Sequence, residues 1–316
     1  MNRYGYIVLL LSVVFLAGCA AKRADRMEVS VTTYNLLSKK FHDKSPWELR
    51  KEKVAGIIRQ KNHNPDILGC EEVADPEQMH DLVKLLRDDY DYREMGIEAS
   101  PRIIFWRKGR FDAMDSGNID LLAEFPEYGP EEYYASRFAN YVRLRERNSG
   151  CEVLIYLVHV KSGGRRHDDY QLLRRQCIQG LCRVAKAESA RLGGLPVIAL
   201  GDLNNYAKNI TNGIPSAPLT FVEEGFADTF DLAAERVNAG YKTYSSQACI
   251  DEGKATRAGE DERLDYIFIY PAGCATVNRW AAIINFLPGS EESVEKPIPS
   301  DHHPVNARLT FHYSNR

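Results

Sequence analysis

The sequence lacks most features that would assign a chain at a glance. Its 7 cysteines include no Cys-x-x-Cys pair, which argues against structural zinc, and they are too sparse for a disulfide scaffold. Neither charge is in excess: 41 basic and 44 acidic residues leave a formal charge of -3. That balance excludes a protein that wraps nucleic acid through a strongly basic surface, although a local basic patch beside a cleft stays open. There is no linker rich in Pro, Gly or Ser, no charge block, no internal repeat and no low-complexity tract to divide the body. No apolar run is long enough to make a comfortable transmembrane helix. What is present is 316 residues with 44% hydrophobic content, within reach of one large α/β domain with a sizeable core.

Residues 1–19 read as a targeting segment rather than part of that domain. Arg3 supplies a positive start and residues 7–15 a short apolar stretch. The stretch ends in Leu16-Ala17-Gly18-Cys19, which resembles a bacterial lipoprotein signal. The resemblance implies acylation of Cys19, which becomes the mature N-terminus, and attachment to a membrane through those chains. Ala20 follows Cys19, so the aspartate associated with inner-membrane retention is absent and an outer-membrane or surface location is favoured. An ordinary secretory signal that happens to contain a cysteine is the alternative. Residues 20–27 read as a polar tether and residues 28–316 as the domain.

Within the domain, residues 28–35 and 66–73 read as strands. A helix is expected after Ser45-Pro46, with Ser45 as N-cap, and another after Asp75, spaced with Gln78 as a capping box. Residues 90–160 change to successive strands, followed by a long helix over residues 168–192 and the strand PVIALGD. A short helix is expected over residues 231–237, with strands at YKTYS, LDYIFIY, AAIINF and PVNARLTF. Helices before and between runs of strands suggest two packed sheets with helices outside. Cys70 and Cys151 lie in apolar strands and read as buried thiols.

Six of the apolar runs carry a polar group at one end. VSVTTYN closes on Asn35, DILGCEE on Glu72, VLIYLVH on His159, and PVIALGDLN on Asp202 and Asn204. Asp265 opens YIFI, and Asp301-His302 stand in PSDHHPV. Groups at strand ends are well placed to converge at one sheet edge, and residues at i and i+2 such as Asp202 and Asn204 share a side while a strand continues. Each piece alone has a bland reading, a turn asparagine or a solvated strand end. Their order and spacing resemble the endonuclease/exonuclease/phosphatase superfamily, the DNase I-like metal-dependent phosphoesterases, over nearly the whole domain.

The resemblance implies a four-layer α/β/β/α sandwich of two mixed sheets packed face to face with helices outside. It also implies in-line attack of water on phosphorus, assisted by Mg²⁺ or Mn²⁺. Asn35, Glu72 and Asp301 match the family's metal positions, and His159, Asp202, Asn204, Asp265 and His302 its catalytic ones. Asp265 is expected to orient His302. Two departures stand out: Glu71 occupies the place of a usual Gln, and Val-His-Val-Lys replaces the family's Thr-His-Leu around His159. Lys161, Arg165 and Arg166 follow in a Gly-containing loop and either grip an anionic substrate or form a solvated surface loop. The apolar residues 280–287 read as core strand in preference to a membrane-inserting loop. Substrates left open are nucleic acid, phospholipid head groups and sugar or inositol phosphates. The reading from another class is a surface ligand-binding lipoprotein without catalysis. No protein partner is expected.

Overall fold

The computed structural model describes residues 25–38, 46–60, 63–73, 75–94, 102–129, 133–163, 170–257, 259 and 261–313. The expected signal segment, Cys19, most of the tether, Ser45, Arg165 and Arg166 lie outside the described residues. Among the described residues, no helix is long and apolar enough to cross a membrane.

Two sheets carry the architecture. The first has seven strands: β1 (Arg26–Asn35), β2 (Ile67–Glu71), β3 (Tyr90–Glu94), β4 (Ile103–Arg107), β12 (Glu235–Val237), β14 (Ala275–Ala282) and β15 (Val305–His312). They lie in the order β12-β14-β15-β1-β2-β4-β3. The second has six: β5 (Phe111–Asp120), β6 (Phe138–Glu146), β7 (Glu152–Leu157), β8 (Val197–Asp202), β11 (Ala227–Asp228) and β13 (Asp265–Tyr270). Their order is β11-β13-β8-β7-β6-β5. A separate short ribbon pairs β9 (Ile210–Thr211) with β10 (Ile214–Pro215). Both sheets are mixed: β1 runs parallel to β2 and β7 to β8, while β1 meets β15 and β13 meets β8 antiparallel.

Period-2 alternation sorts each strand into two rows. The inner rows (Val29 and Val31, Ile155 and Leu157, Ile198 and Leu200, Ile267 and Ile269, Val305 and Leu309) form one core between the sheets. The outer row of the first sheet (Tyr34, Leu68, Cys70, Phe105) packs under α1 (Trp47–Ile58) and α2 (Pro76–Leu86). A single turn, α3 (Tyr134–Arg137), leads into β6. The outer row of the second sheet (Leu154, Tyr156, Ala199, Phe268) packs under α4 (Gln171–Arg191) and α5 (Ala217–Glu223). The layers are therefore helix, sheet, sheet, helix, as expected.

Local differences have physical reasons. Asp75 caps α2 by accepting from the Glu77 amide, but Gln78 turns inward and donates to the Leu37 carbonyl. The helix expected over residues 231–237 is a single turn, α6 (Thr229–Leu232), because residues 235–237 pair in parallel with β14. AAIINF contributes only its first two residues to β14, which begins at Ala275 and pairs with β15. Trp280, Ala281 and Ala282 are buried in the core, which rules out their insertion into a membrane, whereas Leu287 is exposed. The six described cysteines are free thiols, four of them buried.

Candidate active site

The inner rows explain where the polar residues go. In β1 the row Val29, Val31, Thr33 ends in Asn35; in β2, Ile67 and Gly69 end in Glu71. In β8, Ile198 and Leu200 end in Asp202; β13, running the opposite way, begins its row with Asp265. His159 falls two residues beyond Leu157 of β7. The apolar core thus gives way at one end of the sandwich to a floor of polar groups from both sheets.

The floor is a set of hydrogen bonds and close polar contacts. Asn35 Nδ2 bridges the sheets, donating to Glu72 Oε1 at 3.2 Å and Asp202 Oδ2 at 3.1 Å. Its Oδ1 accepts from the Leu37 amide at 3.0 Å, which leaves one lone pair uncommitted. Glu72 Oε2 accepts from the Ser38 amide at 3.0 Å. His302 Nδ1 lies 2.9 Å from Asp265 Oδ2, and its Nε2 lies 3.8 Å from Asp202 Oδ2. Asp202 and Asp265 are direct register partners across β8 and β13. His159 Nε2 is 3.5 Å from Asp202 Oδ2. Asp301 sits beside His302, and its backbone carbonyl accepts from the Ser245 amide.

Two side chains arrive by turns rather than by strand alternation. Glu72 has φ 57 and Asn204 φ 45, left-handed conformations that cost energy for residues with a Cβ and that cluster at functional sites. The strand ends at Asp202, so Asn204 does not share its side by continuing β8. Instead the Asn204 amide donates to Asp202 Oδ1 at 2.8 Å, and the turn brings Asn204 Nδ2 to His159 Nε2 at 3.1 Å and the Val160 carbonyl at 3.0 Å. The left-handed turn at Glu72 also separates it from Glu71: Glu72 reaches the cavity, while Glu71 stays in the inner row, fully buried.

Electrostatics divide the titratable groups. Burial raises Asp202 to about 7, against the pull of His302. Burial opposes charge on His302, but the carboxylates of Asp265 and Asp202 outweigh it and hold the imidazolium well above its usual range. Burial lowers His159 to about 4, and its Nε2 accepts from Asn204, so this ring is neutral. Burial works against ionised Glu72 too, yet the Ser38 amide, Asn35 and the charged His302 hold it below the usual carboxylate value. Burial pushes Glu71 well above, and Thr33 Oγ1 donates to its Oε1 at 2.5 Å.

A cavity of about 480 Å³ opens over this floor, lined by Glu72, Asp202, Asn204, Asp301 and His302, with Tyr206 and Tyr244 among its other walls. Glu72 and Asp301 present hard oxygen donors to it, a donor set that suits a divalent cation keeping several waters. The sequence did not single out Tyr206, Tyr244 or Arg102, whose Nη1 donates to the His159 carbonyl at 3.1 Å. An arginine opening an apolar strand gives no signal of that contact. Lys161 directs its ammonium over the Tyr170 ring, 5.6 Å from the centroid. His303 is buried, and its amide bonds to the Thr243 carbonyl.

No family model matches the chain. Carbon catabolite repressor protein 4 homolog 3 of Arabidopsis thaliana is 25% identical over 180 residues, 56% of this chain, and the chain spans only 37% of that relative. An endonuclease/exonuclease/phosphatase family protein from Bacteroides thetaiotaomicron superposes with a TM-score of 0.70 at 22% identity, covering 92% of this chain and 100% of its own. A mannosyl-6-phosphatase from Bacteroides thetaiotaomicron gives 0.65 at 22% identity over 89% of this chain and 99% of its own. Truncated Caenorhabditis elegans TDP2 gives 0.60 at 20% identity over 90% and 97%. In fold, the chain is a two-sheet α/β sandwich of the endonuclease/exonuclease/phosphatase, DNase I-like type.

Proposed function

We propose that this chain is a divalent-metal-dependent phosphoester hydrolase, exported and lipid-anchored through Cys19. The observation that carries the catalytic reading is the meeting of Asn35, Glu72, His159, Asp202, Asn204, Asp265, Asp301 and His302 in one polar floor drawn from two sheets. Mg²⁺ or Mn²⁺ held by Glu72 and Asp301, with Asn35 fixing Glu72, would supply charge neutralisation at the phosphoryl oxygens. Asp202, poised near neutrality, takes the proton of the attacking water. His302, held as imidazolium by Asp265, meets the phosphoryl oxygens with a positive N–H as their charge grows. Asn204 orients Asp202 and His159; a neutral His159 gives or receives a hydrogen bond at the phosphate rather than a proton.

The substrate is a phosphoester, with nucleic acid and phosphorylated sugars both in view because the structural neighbours include TDP2 and a mannosyl-6-phosphatase. The exposed Tyr206 and Tyr244 beside the floor favour an ester whose organic part carries a ring. The test is hydrolysis of bis(p-nitrophenyl) phosphate and p-nitrophenyl phosphate by the parent and by Asp202→Ala, with Mg²⁺ or with chelator. Turnover that needs both metal and Asp202 supports the proposal; ligand binding without metal-dependent turnover would leave a non-catalytic binding protein. Export and anchoring are tested separately, by palmitate labelling of the parent and of Cys19→Ser.

A further inference from the structure

Arg50 lies in α1, outside every motif, and its side chain is fully buried. The guanidinium stands over the Trp47 ring, 5.1 Å from the centroid. Nη1 donates to the Leu36 carbonyl and, at 2.9 Å, to the Pro299 carbonyl; Nη2 donates to the Leu37 carbonyl. These acceptors belong to two loops that meet beside the site. Leu36 and Leu37 join Asn35 to Ser38, the two residues that hold Glu72. Pro299 leads into Ser300, Asp301 and His302, and Ser300 Oγ ties that loop to the Asn35 carbonyl at 2.6 Å. Leu37 adopts φ 55, a left-handed conformation costly for a leucine, while its carbonyl and that of Leu36 meet one guanidinium. A planar fork of five donors can span two loops in this way; the single point of a lysine ammonium cannot.

Resting on the metal reading above, we propose that Arg50 is a positioning residue for the cation site. Its guanidinium fixes the loop that carries Asp301 against the loop that supports Glu72, and so sets the separation of the two carboxylates. The experiment is calorimetric titration of Mn²⁺ into the full-length protein in detergent, for the parent, Arg50→Lys and Arg50→Gln. Each is measured at a temperature where circular dichroism shows it folded. The expected result is a fall in Mn²⁺ affinity of about tenfold to a hundredfold in both variants, the usual effect of removing a group that orients metal ligands. In a third variant, Arg50→Ala, millimolar guanidinium ion should restore binding, and a folded Arg50→Ala that it does not rescue would count against the inference. Parent-like affinity in Arg50→Lys would overturn the inference, since charge without the fork would then suffice. Failure of both variants to fold would also overturn it, making Arg50 a residue of the fold at large. A parent that binds no Mn²⁺ would instead remove the metal reading itself, and this inference with it.

Discussion

Replacing Asp265 with asparagine is the sharpest single perturbation of the floor. Both oxygens of Asp265 lie within hydrogen-bond reach of His302 Nδ1, at 2.9 and 3.1 Å, and neither group is appreciably exposed. Two unit charges about 4 Å apart at an effective permittivity near 20 attract by about 4 kcal/mol. Part of that offsets the burial of both groups, and a charge-assisted hydrogen bond nets roughly 1.5–3 kcal/mol. If the imidazolium is needed only as phosphoryl charge grows, the loss falls on kcat, by about 10- to 150-fold. KM should stay within a factor of about three, because uniform substrate binding is untouched. The assay is steady-state hydrolysis of bis(p-nitrophenyl) phosphate from pH 5 to 9 with saturating Mg²⁺. A neutral amide in place of the carboxylate no longer favours the protonated ring, so the variant should also lose activity at a lower pH on the alkaline side. An unchanged kcat, or an equal loss at every pH accompanied by unfolding, would refute the role given to the pair.

Other predictions follow from the same geometry. Asp202 keeps its proton to about 7 in the fold but to only 3.8 when unfolded, so the native state binds more protons between those values and this group costs stability as pH rises through that window. The Tm of the metal-free parent relative to Asp202→Asn should therefore fall between pH 4 and pH 8, and a constant difference in thermal melts would contradict it. Glu71 is buried and held neutral, so Glu71→Gln should change stability by no more than about 1.5 kcal/mol, the scale of one hydrogen bond, and keep most of the activity. A large loss in urea titration or turnover would show that the carboxyl proton matters. Gly201 has φ +146 and any Cβ there would strike the Val158 carbonyl, so Gly201→Ala should cost at least about 3 kcal/mol in denaturant melts.

Much of the site was legible because the strands announce it. An apolar row that ends in a carboxylate or amide can be read from alternation alone, and Asn35, Asp202 and Asp265 follow that rule. Glu72 and Asn204 reach the site through left-handed turns, which alternation cannot foresee. The choice of Glu72 over Glu71 came from the resemblance, and the turn supplies its physical reason. Arg50, Arg102 and the two tyrosines were invisible because their contacts run to backbone or across loops far apart in sequence. Short pieces such as residues 235–237 went wrong where pairing with a distant strand overrode local helical pattern.

Asn35 belongs to one sheet and Asp202 to the other, and their 3.1 Å contact spans the gap between them. The width of that gap is set in the apolar layer directly beneath the floor, in part at Gly69, where a Cβ would stand 2.7 Å from Leu157 and 2.9 Å from Leu200. The sandwich therefore works like a calliper: core side chains set its jaws, and the polar floor records the setting. Drift in sequence within the hydrophobic interior is then constrained by reaction geometry as well as by stability. A methyl group added between the sheets can be harmless to folding and still move one half of the catalytic floor away from the other.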